Sequence, residues 1–380
     1  MFEGLNGLIV AILSIAFSLL VARFFVKETD SSPIKGRNGS IDGMRGFLAL
    51  MVFLHHSSIW WQYLHTGNWS NPSSLFYANI GKVAVVFFFM ITGFLFFGKL
   101  ISGNPVKWKD LYWSRFTRLT PMFMVSLLVV FLIVFYLTDW KLRTGISSLL
   151  VSMARWIPFT LLGMPDINGL QKTSIIVAGV PWSLVYEWFF YLSLPLIALF
   201  LRKDKINIYT TLSFISVICF IAYPALKIHI ASFLFGLIAA IINKRKPRLF
   251  SNNKHFQNIL VAFVLLITCF IIPDPYNLFT ITLCGIAFIT IANGCTFFGI
   301  FTLRTCQVFG ESTYSMYLLH GIILFSAIKI VLPIFHVYQP TEWMFSFLTI
   351  SLSGIITFVS LVCFRYIESP CSKIKLNKLT

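Results

Sequence analysis

The chain has 380 residues, of which 57% are hydrophobic and 11% charged, with a mean hydropathy of +0.83. A soluble domain carries about 25% charged residues, so a soluble enzyme is excluded and a polytopic α-helical membrane bundle is predicted. The formal net charge of +17 does not point to nucleic acid, because the basic residues cluster in short segments between apolar runs. Membrane topology and anionic lipid account for that pattern.

The first apolar run, Leu5 to Phe25, is read as a retained span and not a signal peptide. Glu3 precedes it, and no basic n-region or small-residue cleavage site is evident. The polar stretch Lys27 to Ser40 is read as a short linker bearing Lys35 and Arg37. Span two covers about Arg45 to Tyr63 and span three Val83 to Phe97. Lys99, Lys107, Lys109, Arg115 and Arg118 then mark a cytoplasmic loop, and span four runs from about Pro121 to Leu137. The apolar stretch Ile146 to Gly163 is broken by Arg155 and two prolines, so it is read as interfacial or re-entrant. Span five is Pro181 to Leu201, ending at Arg202, Lys203 and Lys205. Spans six and seven flank Tyr223-Pro224, with a basic run from Asn243 beyond them. Spans eight and nine flank PDPYN, span ten is about Thr313 to Leu332, and span eleven is about Trp343 to Tyr366.

Eleven spans place the amino terminus outside and the carboxyl terminus inside, in the cytoplasmic (inner) membrane of a cell. Lys82, Lys141, Arg143, Arg155 and Lys172 fall outside, and most other basic residues fall in cytoplasmic loops. The seven cysteines are scattered, most within spans, without a C-x-x-C pair. They are read as small apolar residues that imply neither disulfide nor metal.

Charged and titratable residues within apolar runs are costly, by at least about 2.5 kcal/mol for a mid-bilayer charge, and so are functional candidates. Asp42, Arg45, His55 and His56 lie in IDGMRGFLALMVFLHHSSIWW. Arg45 and His56 are eleven residues apart, which returns them to one helix face. At 1.5 Å per residue they stand about 16 Å apart along the axis, a cation at the mouth and an imidazole at depth. For His56 two readings stand, an interhelical hydrogen bonder and a general base with a pKa near 6.5. His55 points about 100° away and is read as structural. Glu187 is read either as a structural carboxylate or as a group that orients a histidine or a substrate hydroxyl. His320 is read as a second polar group in the same cavity. Arg115 and Arg118 share a face at i and i+3, which suits either inside-positive anchoring or a phosphate-rich cytosolic ligand. No P-loop, dinucleotide fingerprint or zinc-ligand spacing is present.

Six stretches, in order, resemble motifs of the acyltransferase-3 family of integral membrane proteins, which O-acylate sugars and related acceptors. IDGMRGFLALMVFLHH resembles the opening Asp-Gly-x-Arg-Gly motif, with its histidine at His56. VVFFFMITGFLFFGKL resembles the next, with Thr92 in place of the usual serine. RFTRLTP resembles the paired-arginine motif, through Arg115 and Arg118. PWSLVYEWFFYLSLP resembles the Trp-Ser-Leu and Glu-x-x-Phe-Tyr pattern, through Trp182, Ser183, Leu184, Glu187, Phe190 and Tyr191. FGESTYSMYLLH resembles the late motif, through Gly310, Ser312, Tyr314 and His320. RYIESP resembles the closing segment, through Glu368 and Pro370.

The resemblance implies a ten-span core, to which the first span is an addition. Residues 1–40 would be that extra helix and a cytoplasmic linker, 41–372 the membrane acyltransferase domain, and 373–380 a basic tail. It implies a bilayer enzyme with no resident cofactor and no metal, and no nucleic-acid partner. Acyl-CoA, acetyl-CoA in particular, would be the co-substrate, bound against Arg45, Arg115 and Arg118. The acceptor would be a carbohydrate, a lipid-linked or surface glycan such as O-antigen in the cell envelope. His56, Glu187 and Arg45 would be catalytic, His56 either as general base or as a nucleophile that carries the acyl group transiently, with Asp42, Tyr191, Ser312, Tyr314 and His320 in support. The alternative is a transporter or flippase using the same buried groups.

Overall fold

The computed structural model describes residues 4–26, 38–202, 207–221, 227–245 and 253–374. Most of the expected linker, the Tyr223-Pro224 turn, Lys203, Lys205, the basic run past Arg245 and most of the tail lie outside these residues. The described residues are helical without a strand, apart from one isolated bridge between Ile167 and Leu170.

The helices are α1 (Gly4–Arg23), α2 (Gly39–Thr66), α3 (Leu75–Ile101), α4 (Trp108–Leu137), α5 (Ile146–Trp156), α6 (Trp182–Arg202), α7 (Ile208–Ile221) and α8 (Lys227–Arg245). They continue as α9 (Lys254–Phe270), α10 (Leu278–Ala292), α11 (Arg304–Glu311), α12 (Thr313–Ser326), α13 (Leu332–Ile334), α14 (Glu342–Cys363) and α15 (Ser369–Ser372). π-helical turns join α12 to α13 at Ala327–Val331 and α14 to α15 at Phe364–Glu368. Among the described residues, seven helical stretches are long and apolar enough to cross a membrane. They are Asn6–Arg23, Leu75–Ile101, Trp108–Leu137, Trp182–Leu201, Ile228–Arg245, Thr313–Ile334 and Glu342–Ser372. The other expected spans fall on α7, α9 and α10, which are shorter apolar helices, and on α2, which carries Asp42, Arg45, His55 and His56.

Local sequence sets the helix ends. Asn38 caps α2 by accepting the Ile41 N–H at 3.3 Å, and Asp42 places a negative charge in its first turn. Gly67 ends the helix in the left-handed region at φ +72°, which costs glycine little. Asn253, Asn277 and Thr341 cap α9, α10 and α14 in the same way.

Helix contacts follow the small residues. α3 packs closely on α8, where a Cβ on Gly236 would lie 2.4 Å from the Met90 carbonyl oxygen. Such backbone approach is how helices associate where lipid supplies no hydrophobic drive. α1 lies along α14, with Ser18 Oγ donating to Ser353 O and Ser353 Oγ to Ser14 O, each at 3.1 Å. Large apolar side chains such as Leu128, Phe263 and Phe347 face outward. The stretch expected to be interfacial or re-entrant is the short helix α5 followed by turns, with Phe159 and Thr160 at positive φ. Ile146, Leu150 and Val151 are exposed on it.

Between α9 and α10, Asp274 meets Lys82 Nζ at 2.9 Å. Partial burial raises the Asp274 pKa, but the Lys82 ammonium and the Tyr276 N–H more than offset it, and the net shift is downward from 3.8. A depressed carboxylate pKa contributes stability above the ordinary value, which is lost as pH falls through the lowered one. Because Asp274 is largely exposed, Lys82→Gln should cost under about 1 kcal/mol at neutral pH. A thermal-unfolding comparison at pH 7 checks this, and the difference should vanish once Asp274 is protonated.

Candidate active site

Arg45 on α2 and Arg115 and Arg118 on α4 form a collar where two cavities meet. The wider is a vestibule of about 1040 Å³ at the end of the bundle where α2 begins, lined also by Asp42, Glu311, Glu368 and Lys373. The narrower is an inner cavity of about 110 Å³, lined by Thr92, Phe88, Ser183, Glu187, Tyr191 and Tyr314 among others. The three guanidiniums, with Leu95, belong to both linings.

Arg115 and Arg118 have different neighbours. Arg115 lies over the Phe96 ring, its Cζ 5.2 Å from the ring centre. Arg118 feels the charges of Arg45, Arg115 and Glu368. Glu368 is buried and accepts a hydrogen bond from Ser315 Oγ. A carboxylate so fixed is a counter-charge that keeps the collar compact and leaves it a net cation. Guanidinium forks in that setting suit the phosphates and planar oxyanions of a large ligand.

Glu187 accepts a hydrogen bond from Tyr191 Oη, one turn further along α6. Tyr191 is tied in turn by Tyr112 Oη, which donates to its carbonyl at 3.2 Å. Tyr314 Oη donates to Leu119 O at 3.0 Å, linking α12 to α4 beside the collar. The structure does not pair Glu187 with His56: its hydrogen-bond partner is Tyr191 on the same helix, and α6 packs on α3 and α7. Ser312 lies outside both linings, its Oγ turned to Phe309 O at 2.9 Å between α11 and α12.

His56 and His320 form a pair, His320 Nε2 to His56 Nδ1 at 3.1 Å. The surrounding carbonyls fix which nitrogens carry hydrogen. His320 Nδ1 faces Met316 O at 3.2 Å, so in the neutral ring it holds the N–H and Nε2 is an acceptor. His56 Nδ1 faces both that acceptor and Val52 O at 2.9 Å, so it too holds its N–H. The lone pair of His56 is then left on Nε2, on a ring that is half-buried while His320 is fully buried. His55 turns away as expected, its Nδ1 2.7 Å from Tyr77 O.

Neither histidine of the pair lines the vestibule or the inner cavity. Between cavity and pair stands Tyr317, which lines the cavity and has its ring centre 6.0 Å from that of His320. Tyr317 Oη donates to Val180 O at 3.0 Å and shares a 2.6 Å hydrogen bond with Ser183 Oγ. Tyr317 is not singled out by the sequence, and Ser183 and Glu368 are named there only as motif positions without a role in the site. The signal for Tyr317 was its spacing of three before His320, one helix face.

Residues 38–365 match the family described as Acyltransferase domain. The chain is 28% identical over 174 residues to Acyltransferase MdmB of Streptomyces mycarofaciens, covering 44% of this chain and 41% of that protein. It is 28% identical over 178 residues to Nodulation protein 10 of Rhizobium leguminosarum bv. viciae, covering 45% of this chain and 47% of that protein. The chain thus spans less than half the length of either curated relative. No solved structure matches.

Proposed function

The chain belongs to the acyltransferase-3 family, and from that premise we propose that it moves an acetyl group from cytosolic acetyl-CoA to a sugar hydroxyl of a lipid-linked or surface glycan. The observation that carries this reading is the arginine collar at the junction of a wide vestibule and a narrow inner cavity that ends near a histidine pair. The nucleotide phosphates of the donor rest against Arg45, Arg115 and Arg118, and the thioester arm enters the inner cavity. Tyr317 moves aside so that the acyl carbon meets the acceptor at His56. The Nε2 of His56 takes the proton of the sugar hydroxyl as its oxygen bonds to the thioester carbon. The carbon–sulfur bond breaks, and the departing thiolate takes that proton from the His56 imidazolium, which restores the neutral base. Glu187 and Tyr191 orient the thioester end on the cavity wall, and Asp42 holds the mouth of the vestibule in place. The vestibule faces the cytosol, with the protein in the inner membrane.

The test is purified protein in proteoliposomes with labelled acetyl-CoA and candidate glycans, read by label bound to glycan. Arg115→Gln should raise the KM for acetyl-CoA roughly tenfold or more, the loss of one charge-assisted hydrogen bond, and leave kcat nearly unchanged. A fall in kcat with KM unmoved would remove Arg115 from donor binding.

A further inference from the structure

Beyond His56, α2 runs on to Thr66, and Tyr63 stands seven residues further along. Seven steps return it to nearly the same face, about 10 Å closer to the end of the bundle remote from the vestibule. Its ring is half-buried, and two ammonium groups converge on it. Lys329 Nζ lies 5.4 Å from the ring centre and Lys172 Nζ 5.9 Å.

The two lysines come from unrelated parts of the chain. Lys172 precedes the 3-10 turn Thr173–Val177, which packs on α12. Lys329 is nine residues past His320, and on an uninterrupted α-helix nine steps would put it on the face opposite His320. The π-helical turn Ala327–Val331 winds more slowly and swings its side chain back toward α2. Both lysines are exposed, and among the described residues neither has an acidic group within ion-pair distance. An exposed cation over such a ring gains only about 0.5–1 kcal/mol, and like charges drawn to one ring repel each other. The arrangement's own contacts are therefore weak, and an oxyanion at the ring edge within reach of either ammonium would add a charge-assisted hydrogen bond.

We propose that Lys172, Lys329 and Tyr63 form the acceptor's entrance and bind an oxyanion, phosphate or carboxylate, carried by the glycan. The proposal rests on the transfer reading above and adds to it the charge class of the acceptor. Anchored there, a glycan spans the gap down α2 and presents a hydroxyl to His56 from the side opposite the donor.

The test uses the full chain in nanodiscs of phosphatidylcholine, at ionic strength matched with sodium chloride. The rate at which a water-soluble amine-directed reagent labels Lys172 and Lys329 is read by mass spectrometry, with Lys141 as reference. Sodium pyrophosphate or glucuronate should slow labelling of both lysines severalfold, while glucose leaves it unchanged. His56→Gln should keep this protection while losing transfer, so a failure of the transfer chemistry and a failure of this site read out separately. No protection by either anion, or equal protection by glucose, would overturn the proposal. So would protection seen only when phosphatidylglycerol replaces the neutral lipid, since the lysines would then serve the bilayer headgroups.

Discussion

His56→Gln should lower acyl transfer by about 10²–10⁴-fold, the usual worth of a positioned general base, with donor binding intact. Glutamine is the informative replacement. Its amide can still donate toward His320 Nε2, which His56→Ala would leave buried without a partner at a cost of about 1–3 kcal/mol. The glutamine variant therefore separates loss of the base from loss of packing. His320 acts one step back, by holding the hydrogen of His56 on Nδ1. Its replacement by alanine leaves Val52 O as a second acceptor for that hydrogen, so the loss should be only about two- to tenfold, one neutral hydrogen bond. Steady-state transfer rates and acetyl-CoA binding, measured on the same preparations, check both. A His56→Gln enzyme with near-normal rates would remove His56 from the chemistry.

Gly310→Ala should disrupt the fold, and with it the collar. A Cβ on Gly310 would lie 1.8 Å from the Asp42 carbonyl oxygen, and one on Gly43 would lie 1.9 Å from Phe301 O. A Cβ on Gly46 would meet the Phe309 ring at 2.4 Å. These contacts lock α2 against α11 and the turn before it, and Arg45 sits between the two α2 glycines. Because the obstructing atoms at Gly310 are backbone, no side chain can rotate away to make room. The cost should reach or exceed the upper part of the about 1–3 kcal/mol typical of overpacking. Gly98→Ala is the matched control, since a Cβ there meets nothing within 4 Å. It should be neutral or gain about 0.5–1 kcal/mol from helix propensity. Thermal unfolding in nanodiscs, with the two variants side by side, decides this. Equal stability of both would mean that α2 and α11 are not in backbone contact.

Much of the bundle was legible because hydrocarbon-length apolar runs and basic loops leave little choice of element. The motif order from Asp42 to Pro370 pointed to the acyltransferase-3 family, and the family match over 38–365 agrees. Within the site, register on a single helix was readable. Arg115 and Arg118 share a face and line one collar, and His55 turns away from His56 to bond Tyr77. Partnerships between helices were not readable. Glu187 was expected to orient a histidine or an acceptor, and its hydrogen-bond partner is Tyr191, four residues on. No local pattern says that α6 lies against α3 and α7, or which ring nitrogens join His320 to His56 across 264 positions. The π-helical turns at Ala327–Val331 and Phe364–Glu368 carry no glycine and no distinctive spacing. They bring Lys329 and Glu368 to places that a uniform helix would not predict.

In the proposed reaction, acyl groups pass from the arginine vestibule to a hydroxyl activated at His56. Membranes containing the protein, supplied with radiolabelled acetyl-CoA and surface glycan, test it most directly. Base-labile label should appear on the glycan with the wild-type chain and almost none with His56→Gln. Glycan that crosses the membrane unmodified, or label that persists undiminished in His56→Gln, would contradict it.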